Sequence, residues 1–192
     1  MTQAVLRTDR LLLEPLSDAH LEFEVALDGD REVMRHLEPR PRTREEVLAR
    51  HPQRLEVARR APGLGFWVGS VDGEPVGWWL LDVPERPDQG PADGQAELGY
   101  RLLPRWWRRG LATEGARELV RHAFADLGLH RVFAETMAVN TGSRAVMAAV
   151  GLVHLRTFHL EWETPLAGAE HGEVEYALTR EEWLARPGGR TR

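Results

Sequence analysis

The sequence predicts a mixed α+β domain: one central, mostly antiparallel sheet with a single parallel strand pair, flanked by about four helices. Three observations predict it. Apolar runs at 66–71 and 74–83 meet at Asp72-Gly73, a dipeptide that favours a tight antiparallel hairpin. A strand over 96–103, an amphipathic segment over 111–127 and a strand over 130–139 make a crossover unit, which sets its two strands parallel. Two closing strands, 152–162 and 173–178, are separated by a loop carrying Pro165, Gly168 and Gly172.

Each element has its own signal. Residues 5–15 alternate and then run apolar through Leu11, Leu12 and Leu13, the pattern of a strand. Ser17 offers a helix N-cap. Thr43 with Glu46 has the spacing of a capping box, and the helix it opens runs to about Arg60, where Ala61-Pro62-Gly63 stops it. Residues 84–94 hold three prolines in a loop of about eleven residues, long enough to suggest a functional role. Within 111–127 the residues Ala112, Ala116, Leu119, Val120, Ala123, Phe124 and Leu127 share one helical face, and Gly128 ends it. Asn140 caps a short helix through Ala145, Val146 and Val150, terminated by Gly151.

With 192 residues, no internal repeat and no Gly/Ser or Pro-rich linker, the chain is expected to form one domain over 1–192. Its 42% hydrophobic and 29% charged residues are those of a globular protein. The absence of cysteine excludes disulfide scaffolds, thiolate metal sites and cysteine nucleophiles. A net charge of −5 argues against nucleic-acid binding, which needs a broad basic face. No run approaches a membrane span and the first residues lack an apolar signal core, so the expected location is cytoplasmic. None of the eight histidines shows metal-pair spacing, so no metal is expected; His20 and His171 are remote candidates for a base.

The most informative stretch is 96–115, AELGYRLLPRWWRRGLATEG, where a strand leads through Arg108-Arg109-Gly110-Leu111-Ala112-Thr113 into the amphipathic helix. A helix N-terminus presents unpaired N–H groups and a partial positive charge, which suit phosphate oxygens. Gly110 lets the backbone approach a bulky anion, Ala112 leaves the way open, and Arg108 and Arg109 add full charge. Taken alone, these residues are also those of a helix start with two solvated arginines. A lysine-free chain has no G-x-x-x-x-G-K-[ST] loop, and no G-x-G-x-x-G follows a strand, so ATP hydrolysis and dinucleotide binding lose support.

These residues resemble the GNAT family of acyl-CoA-dependent N-acetyltransferases, in the branch that includes ribosomal-protein N-terminal acetyltransferases. The resemblance covers nearly the whole chain. Thr8-Asp9-Arg10-Leu11-Leu12-Leu13 is similar to that branch's opening strand, and Glu97-Leu98-Gly99-Tyr100 follows its pattern. Trp106 to Glu114 resembles the Q/R-x-x-G-x-G/A phosphate loop, with Trp107 where the general motif has Gln or Arg. Asn140-Thr141-Gly142-Ser143 with Gly151-Leu152 matches the N-x-x-S…G-F element, Leu152 replacing Phe.

The resemblance implies acetyl-CoA as co-substrate and an amine acceptor, either a protein N-terminus or a small molecule; a homodimer is left open. An antibiotic, polyamine or amino-acid acetyltransferase is the rival within the enzyme class, and a degenerate acyl-CoA-binding regulatory module the rival outside it. A protonated alkylamine needs a base, and Glu97 is assigned that role. Many family members take the thiolate's proton from a tyrosine seven positions after the motif Asn, where this chain has Met147; Ser143 is assigned instead. Coenzyme A contacts are expected from Asn140, from Arg108, Arg109, Gly110, Leu111, Ala112 and Thr113, and from the main-chain N–H groups of Leu102 and Leu103. Trp78, Trp79, Trp106, Trp107 and Trp162 are candidates for an acceptor pocket or the core, and Glu161, Glu163, Glu173 and Glu175 for attracting a cationic amine.

Overall fold

The structure, a computed structural model, describes residues 3–162 and 164–186. Its elements follow in the order β1 (Leu6–Arg7), β2 (Leu12–Pro15), α1 (Leu21–Asp28), α2 (Arg31–Met34), α3 (Arg44–Arg60), β3 (Gly65–Val71), β4 (Glu74–Asp82), β5 (Gln95–Leu102), α4 (Leu111–Arg121), β6 (Arg131–Met137), α5 (Thr141–Ala149), β7 (Val153–Phe158), β8 (Glu173–Thr179) and α6 (Arg180–Leu184). The strands form one sheet, β1-β2-β3-β4-β5-β6-β8-β7, and only β5 and β6 run parallel. The expected mixed architecture is present. Asp72 and Gly73 both take positive φ, 51° and 81°, as a primed hairpin turn between β3 and β4 requires.

Three expectations are corrected. Residues 5–15 are a hairpin rather than one strand: the Thr8 N–H donates to the Leu11 carbonyl and the Leu11 N–H to Thr8 Oγ1, folding Leu6 back opposite Leu13. Among the described residues six helices stand where about four were expected. The two short extras, α2 and α6, are made by caps rather than by apolar periodicity: Asp30 accepts from the Glu32 and Val33 N–H groups, and Thr179 forms a capping box with Glu182. The long helix keeps α geometry only to Arg121; its last turn widens, the Leu127 N–H reaching the His122 carbonyl five residues back.

Two apolar layers sandwich the sheet. Leu111, Ala116, Leu119, Val120 and Phe124, with Met147 from α5, bury one face against Trp79, Leu81, Leu98 and Val132. On the other face Leu27, Met34 and Val57 cover Phe66, Val68 and Trp78. Helices cover that second face only over the first half of the sheet. Over β5, β6 and β8 it carries charged side chains and is roofed by the 84–94 loop, whose Arg86 and Gln89 reach down to Glu135 on β6.

Candidate active site

The turn before α4 has the backbone an anion cradle needs. Arg108 lies at φ 59° and Gly110 at φ 78°, so two left-handed residues bend the chain immediately before the helix. A non-glycine residue at positive φ is uncommon, and such strain concentrates at functional sites. Gly110 supplies no side-chain cap, and the first intrahelical bond is Glu114 N–H to the Gly110 carbonyl at 3.0 Å. The preceding N–H groups of Leu111, Ala112 and Thr113 are the orphan donors of a helix N-terminus. Arg10 braces the turn, donating from Nη1 to the Arg109 carbonyl at 2.9 Å and from Nε to Glu114 at 2.7 Å. The Arg109 guanidinium stacks 4.8 Å above the Trp106 ring. These features fit a diphosphate.

Beside the cradle, β5 and β6 part. They pair only at Gln95↔Arg131, Ala96↔Val132 and Glu97↔Phe133; beyond, β5 follows β4 to Leu102 while β6 follows β8 to Met137. Leu103 does not offer the N–H expected of it, because that group donates to the Val76 carbonyl at 3.0 Å. Antiparallel ladders alternate, so the bond at Leu103 turns the main-chain groups of Leu102 and Tyr100 away from β4 and into the gap. The Leu102 carbonyl accepts from Trp107 Nε1 at 2.7 Å. Trp107 thus ties the end of β5 to the cradle.

The far wall of the gap is the first turn of α5. Asn140 caps it, accepting from the Ser143 N–H at 3.2 Å while its own amide donates to Thr136 Oγ1 at 3.0 Å. Tyr100, to which sequence reasoning assigned no role, crosses the gap: its hydroxyl donates to the Ser143 carbonyl at 2.9 Å and lies 3.0 Å from Ser143 Oγ. Burial raises the phenol above its usual value. Met147, where the family's tyrosine would stand, is fully buried in the core.

Glu97 sits at the last paired position before the strands separate, on the face opposite Leu98 and α4. Burial, then the Glu135 carboxylate, push its carboxyl up to about 7, with Glu85 and Asp82 adding and Arg86 opposing. Asp82 is its direct cross-strand partner and is itself raised by burial. Glu135 is clamped by Arg86 Nη2 at 2.7 and 2.8 Å, and Gln89 Nε2 contacts both carboxylates, Glu97 at 3.4 Å and Glu135 at 3.2 Å. Neither Gln89 nor Glu135 stood out in the sequence.

The remaining candidates scatter. Glu175 is ion-paired to Arg131 and Arg156, and Glu161 is exposed; Glu163 lies outside the described residues. Glu173 is buried, raised by burial and by Glu135, and its Oε1 has no partner among the described residues. Trp78 and Trp79 are core residues and Trp107 is partly exposed. His20 hydrogen-bonds within its own turn to Ser17, while His171 lies 3.7 Å from Glu170. No cluster of three metal-ligating side chains occurs among the described residues, and none of their helices is long and apolar enough to cross a membrane.

Comparison with known proteins gives a consistent result. The family model described as "Acetyltransferase (GNAT) domain" matches residues 10–153. The FsC-acetyl coenzyme A-N(2)-transacetylase of Aspergillus fumigatus is 48% identical over 186 residues, spanning 95% of this chain and 79% of that protein. Among solved structures, an acetyltransferase of the GNAT family from Bacillus anthracis superposes with a TM-score of 0.75 at 20% identity, covering 93% of this chain and all of that one. RimJ from Mycobacterium smegmatis, in complex with CoA-disulfide, gives 0.74 at 24% identity over 93% and 86% of the two chains. At those identities the structural likeness speaks for the fold.

Proposed function

The chain belongs to the GNAT family of acetyltransferases and is an N-acetyltransferase by that membership; from that premise we propose that its acceptor is a primary amine of a small molecule, acetylated by direct attack on acetyl-CoA. The observation that supports direct attack is Glu97, a carboxyl pushed up to about 7 where β5 and β6 part. The relative sharing nearly half its residues over 95% of the chain is named for transfer to an N(2) nitrogen, which favours a small acceptor over a protein N-terminus. The protein is read as a single acetyltransferase domain over 1–192.

Coenzyme A is held, in this reading, by its diphosphate on the N–H groups of Gly110, Leu111, Ala112 and Thr113, with Arg108 and Arg109 supplying charge and the pantetheine arm lying along the gap towards Asn140. Main-chain donors of Leu102 and Tyr100 meet the thioester oxygen; one such donor lowers a barrier by about 3 kcal/mol. The neutral amine attacks the carbonyl carbon. A C–N bond forms, the C–S bond breaks, the amine's proton passes to Glu97 directly or through one water, and the departing thiolate accepts a hydrogen bond from Ser143 Oγ until it takes a proton from solvent.

Thiol release from acetyl-CoA, followed across small mono- and polyamines, amino acids and peptides, tests the acceptor class. Small amines are expected to react and peptides not; turnover confined to peptides overturns the small-molecule reading.

A further inference from the structure

Gln89 lies in the short 3-10 turn Pro87–Gln89 of the 84–94 loop and is 4% exposed. Its Oε1 accepts from the main-chain N–H groups of Glu85 and Arg86, both at 2.9 Å. Those partners can only donate, so the oxygen end of the amide is assigned by chemistry and the nitrogen end must face the other way. It faces two carboxylates, with Nε2 at 3.4 Å from Glu97 Oε2 and 3.2 Å from Glu135 Oε2. Among the described residues no other side chain donates to Glu97, whereas Glu135 has Arg86 as well.

We propose that Gln89 is a positioning residue for Glu97: its amide fixes the rotamer of that carboxylate and stabilises its ionised form, so that the base is ready for the acceptor amine. The proposal rests on the reading of Glu97 as the base. Four charged groups act most strongly on Glu97. Glu135 on β6, Asp82 on β4 and Glu85 in the loop disfavour its ionisation, and Arg86 in the same loop favours it. A donor to the ionised form works with Arg86 against the three acids. The amide does more than dilute repulsion, since two N–H vectors from one nitrogen hold two like charges at a set separation. The same loop turn delivers both Arg86 and Gln89, so the loop's order and the base's state are coupled.

The test is the pH profile of kcat/KM for the full chain and for Gln89→Met, Gln89→Glu and Glu97→Gln, with coenzyme A affinity measured alongside. The wild-type protein should show an acid limb that Glu97→Gln abolishes. Gln89→Met should move that limb to higher pH by roughly 0.5 to 1 unit and lower the plateau rate by roughly threefold as the carboxylate loses its fixed rotamer, with coenzyme A affinity within about twofold. Gln89→Glu keeps an oxygen for the Glu85 and Arg86 N–H groups but replaces the donors by a third carboxyl, and should move the limb at least as far. A Gln89→Glu profile that overlays the wild type, or an unmoved limb in Gln89→Met, overturns the proposal and leaves only a loop tie. Should Gln89→Met fail to fold, Gln89→Glu decides alone. A limb that survives in Glu97→Gln removes Glu97 as the base, a separate failure of the underlying reading.

Discussion

The Tyr100 hydroxyl donates to the Ser143 carbonyl at 2.9 Å and lies 3.0 Å from Ser143 Oγ, joining β5 to α5 across the gap between β5 and β6. A phenol has one proton. With that proton on a carbonyl that can only accept, the Ser143 hydroxyl is left to donate to the Tyr100 oxygen, from which it can turn to a nearby thiolate. The family's usual tyrosine is replaced by buried Met147, so this pair is the hydroxyl chemistry the gap retains.

If the two residues act as one unit, their effects should not add. Ser143→Ala and Tyr100→Phe are each expected to lower kcat about tenfold, less than the roughly hundredfold or more typical of an acid catalyst because a thiolate leaves readily, with acetyl-CoA binding little changed. The double variant should be no worse than Ser143→Ala. Steady-state kinetics of the three proteins checks this, and multiplicative losses would mean that the residues act independently.

Glu97 gives the pH dependence its sign. A carboxyl raised to about 7 is protonated and useless as a base below that pH, so kcat/KM should climb with unit slope through the acid side and level off above neutrality. Glu97→Gln should cost at least tenfold at pH 8 and flatten the limb, while leaving coenzyme A affinity unchanged. Rates that match the wild type from pH 6 to 9 would exclude the residue from the chemistry.

What the sequence conveyed, and what it withheld, divides by range. Asp72-Gly73, the Thr43/Glu46 capping box and Gly110 are local signals, each acting through its own backbone angles, and each was legible. The split of residues 5–15 was not, because its turn is pinned from outside: Thr8 Oγ1 donates to Glu114 at 2.5 Å and the Arg10 N–H to the same carboxylate at 2.9 Å, more than a hundred residues away. The insertion of β8 between β6 and β7 is equally non-local. At the site, Glu97 and Ser143 could be proposed from the family resemblance, but Tyr100, Gln89 and Glu135 could not. Tyr100 and Glu135 lie where β5 and β6 part after one three-residue parallel pairing, and Gln89 reaches Glu97 and Glu135 from a loop, placements that no local pattern encodes.

Gly110 should be the position where side-chain bulk most directly weakens coenzyme A binding. Its φ of 78° disfavours any Cβ, and a β-branched residue both strains the turn and covers the N–H groups behind it. An ideal Cβ there would stand 3.4 Å from the Arg10 guanidinium, an ordinary contact, so the cost lies in the backbone and in access to the N–H groups. Gly110→Val is expected to raise the coenzyme A dissociation constant at least tenfold and to abolish most of the thermal stabilisation that saturating coenzyme A gives the wild type. Calorimetric titration reads the first effect and a melting series with ligand the second; an unchanged dissociation constant would take the diphosphate away from this turn.

Asp28 should govern stability rather than turnover. It is fully buried at the end of α1, where Arg101 Nη1 at 2.8 Å, Arg42 Nη1 at 2.9 Å and Arg54 converge on its two oxygens. Burial alone would raise its carboxyl, yet Arg101, Arg54 and Arg42 together hold it below the ordinary value of 3.8. A carboxylate lowered by folding stabilises the native state at every pH above its unfolded value, and that contribution is lost as the pH falls through its folded value. Stability should therefore be level near neutrality and decline below about pH 4. Asp28→Asn keeps the shape but takes from Arg101 the carboxylate it pairs with and from Arg42 and Arg54 one of their two, and removal of one partner from a buried cluster costs about 3 to 5 kcal/mol. A melting temperature lower by on the order of 10 °C at pH 7 is the expected result, with the gap to the wild type narrowing in acid. A gap that stays constant down to pH 3 would show that Asp28 contributes through packing and not through its charge.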